Sequence, residues 1–228
     1  MNKKKVLLSV LALILVCALS VTGTLALMKM NTTTPVTNTF IAAGGGELAE
    51  GMTLTEHLVA PDANGDYSYA ALNADDVPEK VANAEDADEV FTNSYTVMPG
   101  MTLPKDPTIT ITGKTTAPAY LYVEVVGALN GAYQWEMAEG WTEIVGLTGA
   151  QNGKVYYYNT ILTGADGEAA SFPIIKNNVI TIPDDPTVPL NTQNATLTFY
   201  AYLAQANAGD NTQKGAYEAC FKTVAPNP

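Results

Sequence analysis

No arginine occurs anywhere in the 228 residues, and the eleven lysines stand against twenty-three Asp and Glu. Beyond the triplet Lys3 to Lys5 the cations are not clustered, and neutralising a phosphate backbone needs a cluster, so nucleic acid is not an expected partner. Histidine occurs once, as His57, and no His-Glu-x-x-His zinc spacing exists. Cysteine occurs twice, at Cys17 and Cys220, and the first lies in a segment expected to be removed. Cys220 then has no internal partner, which excludes an intramolecular disulfide even on an extracellular route, and stability has to come from packing. No internal repeat, C-terminal sorting pentapeptide or terminal apolar helix is visible. Leu103-Pro104-Lys105-Asp106-Pro107 has the outline of a sorting signal but lacks the Thr-Gly and lies mid-chain.

What is present begins with an export signal. Lys3, Lys4 and Lys5 precede an apolar run from Val6 to Val21 and small residues ending at Thr24-Leu25-Ala26, the order of a secretory signal peptide over residues 1–26, cleaved between Ala26 and Leu27. The alternative is an uncleaved anchor, since the run approaches the ~20 apolar residues that span a bilayer; the membrane is expected as a partner only in that uncleaved form. Cys17 follows Val16, where lipidation needs a small residue. Loss of the three leader lysines leaves eight cations against twenty-three acids, a net charge of −15, which suits solubility outside the cell. The remaining 202 residues suffice for one domain burying ~70% of its unfolded surface.

Period-two patterning dominates that domain. Ile109 and Ile111 alternate with threonine in 108–112; Leu121, Val123 and Val125 share a face in 120–126; Leu197, Phe199, Ala201 and Leu203 oppose Tyr200 and Tyr202 in 196–204. Further strands are expected at 52–59, 94–97, 141–145, 155–158 and 179–182, separated by Asn64-Gly65, Pro99-Gly100, Asn130-Gly131, Asn152-Gly153 and Asp166-Gly167 turns. The expected fold is all-β, a two-sheet sandwich over 42–224 with helical or loop insertions. Ala216, Tyr217, Cys220 and Phe221 at helical spacing predict a short C-terminal helix that buries Cys220. The acidic run 70–89 is expected to be either a loosely helical insertion or a mobile loop. Residues 225–228 read as a frayed tail.

The order of several segments resembles the TasA and camelysin family of Gram-positive bacteria, exported through a SipW-type signal peptidase. The resemblance rests on Gly23-Thr24-Leu25-Ala26, Thr37-Asn38-Thr39-Phe40 with Gly44, Asn93-Ser94-Tyr95 and Met98-Pro99-Gly100. It continues through Lys105-Asp106-Pro107-Thr108-Ile109-Thr110, Ala119 to Val125, Gly140-Trp141, Val155 to Tyr158 and Ala201 to Ala206. It covers nearly the whole chain, with 70–89 and 130–139 as additions. It implies a jelly-roll-like two-sheet sandwich secreted as a subunit of biofilm-matrix fibres, in which the N-terminal arm of one copy completes the sheet of the next. The partners so implied are further copies of the chain, head to tail, with other matrix proteins or polysaccharide beside them, in the extracellular matrix or on the cell surface.

The arm, 27–41, has the residues such an exchange needs. Met28, Met30, Val36, Phe40 and Ile41 lie among Thr37, Asn38, Thr39 and other polar residues, so the arm favours a strand yet is too poor in apolar surface to fold alone. Docking it gains about 7 to 16 kcal/mol from burial and ladder bonds. Ordering it costs about 7 to 14 kcal/mol. The small balance makes docking into its own subunit or a neighbour's nearly isoenergetic. The plainer alternative is an ordinary first strand fixed in its own sheet.

No catalytic set emerges. A Cys220 and His57 dyad lacks an orienting third group, and although camelysin-like members have been linked to protease activity, no residue here accounts for it. No cofactor is expected. The nearest approach to a metal loop is Asp62, Asn64 and Asp66, whose alternating oxygens suggest calcium, but Gly65 is misplaced for an EF-hand and no terminal Glu closes the pattern; an Asn-Gly hairpin turn explains the same residues. Asp184 and Asp185 read as a solvated loop. Trp135, Trp141 and Tyr156 to Tyr158 would suit a sugar-stacking platform if exposed and a sandwich core if buried. They are the basis of the rival reading, a monomeric cell-surface module that binds carbohydrate or protein.

Overall fold

The computed structural model describes residues 27–31, 48–49, 51–113, 115, 117–127, 129, 131–163, 170–184, 189–190 and 196–222. Among them the chain is all-β apart from a short helix and two 3-10 turns. The strands are β1 (Leu27–Asn31), β2 (Gly51–His57), β3 (Val59–Pro61), β4 (Tyr67–Leu72), β5 (Pro78–Lys80), β6 (Glu89–Val90), β7 (Thr92–Thr96) and β8 (Thr102–Pro104). There follow β9 (Thr108–Thr112), β10 (Ala119–Gly127), β11 (Trp141–Thr148), β12 (Lys154–Tyr158), β13 (Ala170–Pro173), β14 (Val179–Thr181) and β15 (Leu197–Gln205), then the helix α1 (Gln213–Phe221).

Two four-stranded antiparallel sheets, ordered β13-β9-β2-β6 and β11-β12-β10-β15, form the body. Their inward side chains meet in one core: Met52 and Leu54 of β2, Ile109 and Ile111 of β9 and Phe172 of β13 pack with Leu121 and Val123 of β10 and Leu197, Phe199 and Ala201 of β15. The faces expected from the period-two pattern of 108–112, 120–126 and 196–204 are the faces observed. The second sheet is buried on its outer side too, because α1 lies there. Tyr120 and Tyr122, Tyr202 and Ala204, and Ala216 and Tyr217 make a second apolar cluster. Thr212 caps α1, its Oγ1 accepting from the Gly215 N–H at 3.0 Å. Cys220 is half-buried against this cluster, and burial pushes its thiol up.

The acidic run 70–89 is neither a helical insertion nor a plain loop. It completes β4, which pairs with β3 and β5 in a three-stranded sheet, then passes through β5 and a 3-10 turn at Ala84–Asp86 into β6. Short side chains divert the backbone from a helix: Asn73 Oδ1 accepts from the N–H groups of Asp75 and Val77, and Asp88 Oδ2 accepts from Leu72 N–H at 2.6 Å. Ala70, fully buried, fixes the register.

A candidate assembly edge and the charged cluster beneath it

The second sheet ends on β15. Alongside it, with Cα atoms within 8 Å, runs β1, which makes its ladder with β7 of its own chain. The pairing is antiparallel: Leu27 faces Thr96, Met28 faces Tyr95, Lys29 faces Ser94, Met30 faces Asn93 and Asn31 faces Thr92. A segment of the N-terminal arm therefore occupies the slot between the edge strand of one sheet and β7.

β7 is a stiff wall for that slot because its alternate residues are anchored inward. The Asn93 N–H donates to Glu56 Oε1 at 2.9 Å, its Nδ2 donates to the His57 carbonyl at 2.8 Å, and its Oδ1 accepts from Val59 N–H at 3.1 Å. Tyr95, fully buried, donates its hydroxyl to the Pro104 carbonyl at 2.6 Å. Thr92, Ser94 and Thr96 are exposed. Losing β1 would leave the far side of β7 unpaired while this anchoring persisted.

Directly beneath β7 lies a buried charged cluster. Glu56, Lys105 and Asp106 are 2%, 1% and 4% exposed. Lys105 Nζ is ion-paired with Glu56 Oε2, and apart from each other these two atoms have no partner among the described residues. Asp106 receives the His57 N–H at 3.0 Å on Oδ1 and meets His57 Nδ1 at 2.6 Å through Oδ2. Burial drives the Glu56 carboxyl up despite the opposing Lys105 charge, and drives the Lys105 amine down despite Glu56. Both directions follow from the cost of holding an ion out of water. The Tyr69 hydroxyl is pushed up to about 12, first by burial and then by Asp106.

Of the arm residues read from the sequence, Met28 and Met30 lie in β1, which starts at Leu27; Ala26 and Val36, Thr37, Asn38, Thr39, Phe40 and Ile41 lie outside the described residues. Asp62, Asn64 and Asp66 form the β3 to β4 turn. Asp62 Oδ1 is engaged by the Asn64 and Asp66 N–H groups, and no cluster of metal-ligating side chains occurs among the described residues. His57 partners Asp106, whereas Cys220 packs beside the tyrosine cluster under α1, so the two are not brought together as a dyad. Trp141 is buried, donating Nε1–H to the Pro173 carbonyl at 2.9 Å and packing edge-on with Tyr158. Trp135 is half-buried, edge-on to Phe199, and borders two shallow clefts.

Glu56, Asn93 and the carboxylate of Asp106 were not singled out from the sequence. The signal was there for Glu56, which holds the buried register of Met52 and Leu54 in β2. A charge in an apolar slot marks a buried polar contact. The pairing of Glu56 with Lys105 needed the fold, since the two are joined only through the approach of β2 to the β8–β9 connection. No family model, no curated protein and no solved structure matches this chain.

Proposed function

We propose that this protein is a secreted, non-enzymatic structural subunit that polymerises by exchanging its N-terminal arm. In this reading the arm leaves the slot beside β7 and β15 and is replaced by the arm of the next copy, giving a head-to-tail fibre of the extracellular matrix or cell surface, on a jelly-roll-like sandwich. The observation that carries it is the position of β1: a terminal strand held through β7, beside a sheet edge, and joined to the body by residues 32–47. Those residues have a contour of up to about 50 Å, comparable with the ~40 Å breadth of a domain this size, so the arm can reach a neighbour. A heterologous exchange of this type need not close and propagates into a filament. The ordered resemblance to TasA and camelysin segments supports the same reading.

An arm docked in its own subunit is common to the exchanging and the fixed alternatives, and removal of the arm separates them. Deleting Leu27 to Ile41 should leave a soluble folded monomer that forms no filaments by electron microscopy while the intact mature chain does. Filaments from the deleted form would overturn strand exchange. The rival, a monomeric binding module, draws on Trp135 at the rim of its two clefts. Saturable quenching of tryptophan fluorescence by soluble glycans, with no assembly at rising protein concentration, would favour it.

A further inference from the structure

We propose that the Lys105 Nζ and the side-chain carboxyl of Glu56 condense within the folded protein into an isopeptide bond, tying β2 to the segment between β8 and β9. The inference stands apart from the assembly reading, because it concerns the interior of one subunit.

Lys105 Nζ and Glu56 Oε2 are in contact, enclosed, and without any other hydrogen-bond partner among the described residues, while the second carboxyl oxygen, Oε1, is held by the Asn93 N–H. A buried ion pair with unused hydrogen-bonding capacity is a poor way to hold two strands, since neither ion recovers its lost hydration. Burial also favours the reactive forms. Within the low-dielectric core burial pushes the Lys105 ammonium towards the neutral amine and the Glu56 carboxylate towards the neutral acid, the forms that amide formation needs. Fixed contact then supplies the orientation that amide formation lacks in solution.

The atoms balance without any further reagent. The Nζ lone pair attacks Glu56 Cδ, forming the N–C bond and a tetrahedral adduct. One Nζ proton passes to the departing carboxyl oxygen, the C–O bond breaks with its electron pair on oxygen, and one water leaves. No atom is oxidised or reduced. The proton relay falls to Asp106, the chain neighbour of Lys105, whose charge acts on both Lys105 and Glu56 and whose carboxylate is hydrogen-bonded to His57, a side chain 29% exposed. The product amide has no charge to bury. A covalent tie here would brace a chain whose one described cysteine, Cys220, is free.

The test is the intact mass of the purified, folded protein, followed by protease digestion and peptide sequencing by mass spectrometry. The expected mass is lower than that of the mature sequence by one water, with the peptides bearing Glu56 and Lys105 recovered as one branched species and no cleavage after Lys105. Lys105→Arg should restore the full mass. In Asp106→Asn the uncondensed fraction should rise several-fold shortly after folding; an unchanged fraction would remove Asp106 as the relay. If either variant fails to fold, the unmodified chain still decides the matter. Its full sequence mass, with Lys105 open to cleavage, would overturn the bond and leave an ion pair, and a loss of ammonia instead of water would overturn Glu56 as the acceptor in favour of Asn93.

Discussion

Glu124 shows how a single side chain can hold a turn, a strand and a helix together. It is fully buried on β10, in the register of Tyr120 and Tyr122. Its Oε1 accepts from the N–H groups of Gln151 and Gly153 at 2.8 and 2.7 Å, and its Oε2 accepts from the Tyr202 and Tyr217 hydroxyls at 2.9 and 3.0 Å. The Tyr217 hydroxyl in turn accepts from Ala150 N–H, so α1 is pinned to the 149–153 turn. A Cβ at Gly149 would meet the Glu124 carboxylate at 2.2 Å, which explains the glycine at that position. Glu124→Ala removes the acceptor of four donors, two of them tyrosine hydroxyls in buried hydrogen bonds, so it should cost about 3 to 5 kcal/mol, read as a lowered urea midpoint at unchanged slope. A loss below about 1 kcal/mol would mean that water replaces the carboxylate. Both Glu56 and Glu124 were visible in the sequence as charges in apolar registers; their partners, 27 or more residues away along the chain, were not.

At the scale of elements, β9, β10 and β15 declared themselves, as did the short β14 within the expected strand 179–182, whereas β4, β5, β6 and β8 did not. β9, β10 and β15 carry enough alternation to assign faces from the sequence alone, because every second residue enters a core. β5, β6 and β8 have two or three residues each, too few to show a period, and exist only through their ladder partners. The acidic run 70–89 misled for the same reason, its Ala and Glu content suggesting a loose helix or a loop while the pairing of 70–72 with 78–80, and of 89–90 with β2, decided strands. β1 belongs to a third kind: its β-prone composition was legible, but its slot beside β7 and β15 was a matter of tertiary placement. If that slot accepts any copy of the arm, it should also accept a free one. A synthetic peptide of residues 27–41, added in excess to the mature protein, should cap open slots and shorten or abolish filaments, while a scrambled peptide leaves them unchanged. Equal filament length with both peptides would place the assembly contact elsewhere.

For the molecule as a whole, packing and charge would act in opposite directions on the proposed assembly. The sandwich core and the tyrosine cluster under α1 make each subunit self-sufficient, so association has only the arm and the surfaces it brings together to offset repulsion between like-charged bodies. With the leader removed the net charge is −15, and much of it is local. The exposed acids between Asp75 and Glu89 are carried by the β4–β5 turn, β5, the 3-10 turn and the approach to and start of β6, and β6 runs directly into β7, the edge that an exchanging arm would have to find. In the proposed assembly an incoming subunit would approach its slot past a negative rim. Screening length falls from ~10 Å at 0.1 M salt to ~3 Å at 1 M, so added sodium chloride should shorten the lag of filament growth followed by light scattering, and protonation of exposed carboxylates should do the same as pH falls towards the sequence isoelectric point near 4.3. Neutralising the rim by Asp75→Asn, Asp76→Asn and Glu79→Gln should reproduce part of the salt effect at low ionic strength and reduce the remaining response to salt. These substitutions lie on exposed positions and leave the buried cluster beneath β7 intact. A lag that ignores salt, pH and the three substitutions alike would remove charge as the brake, leaving release of the arm from its own slot as the slow step.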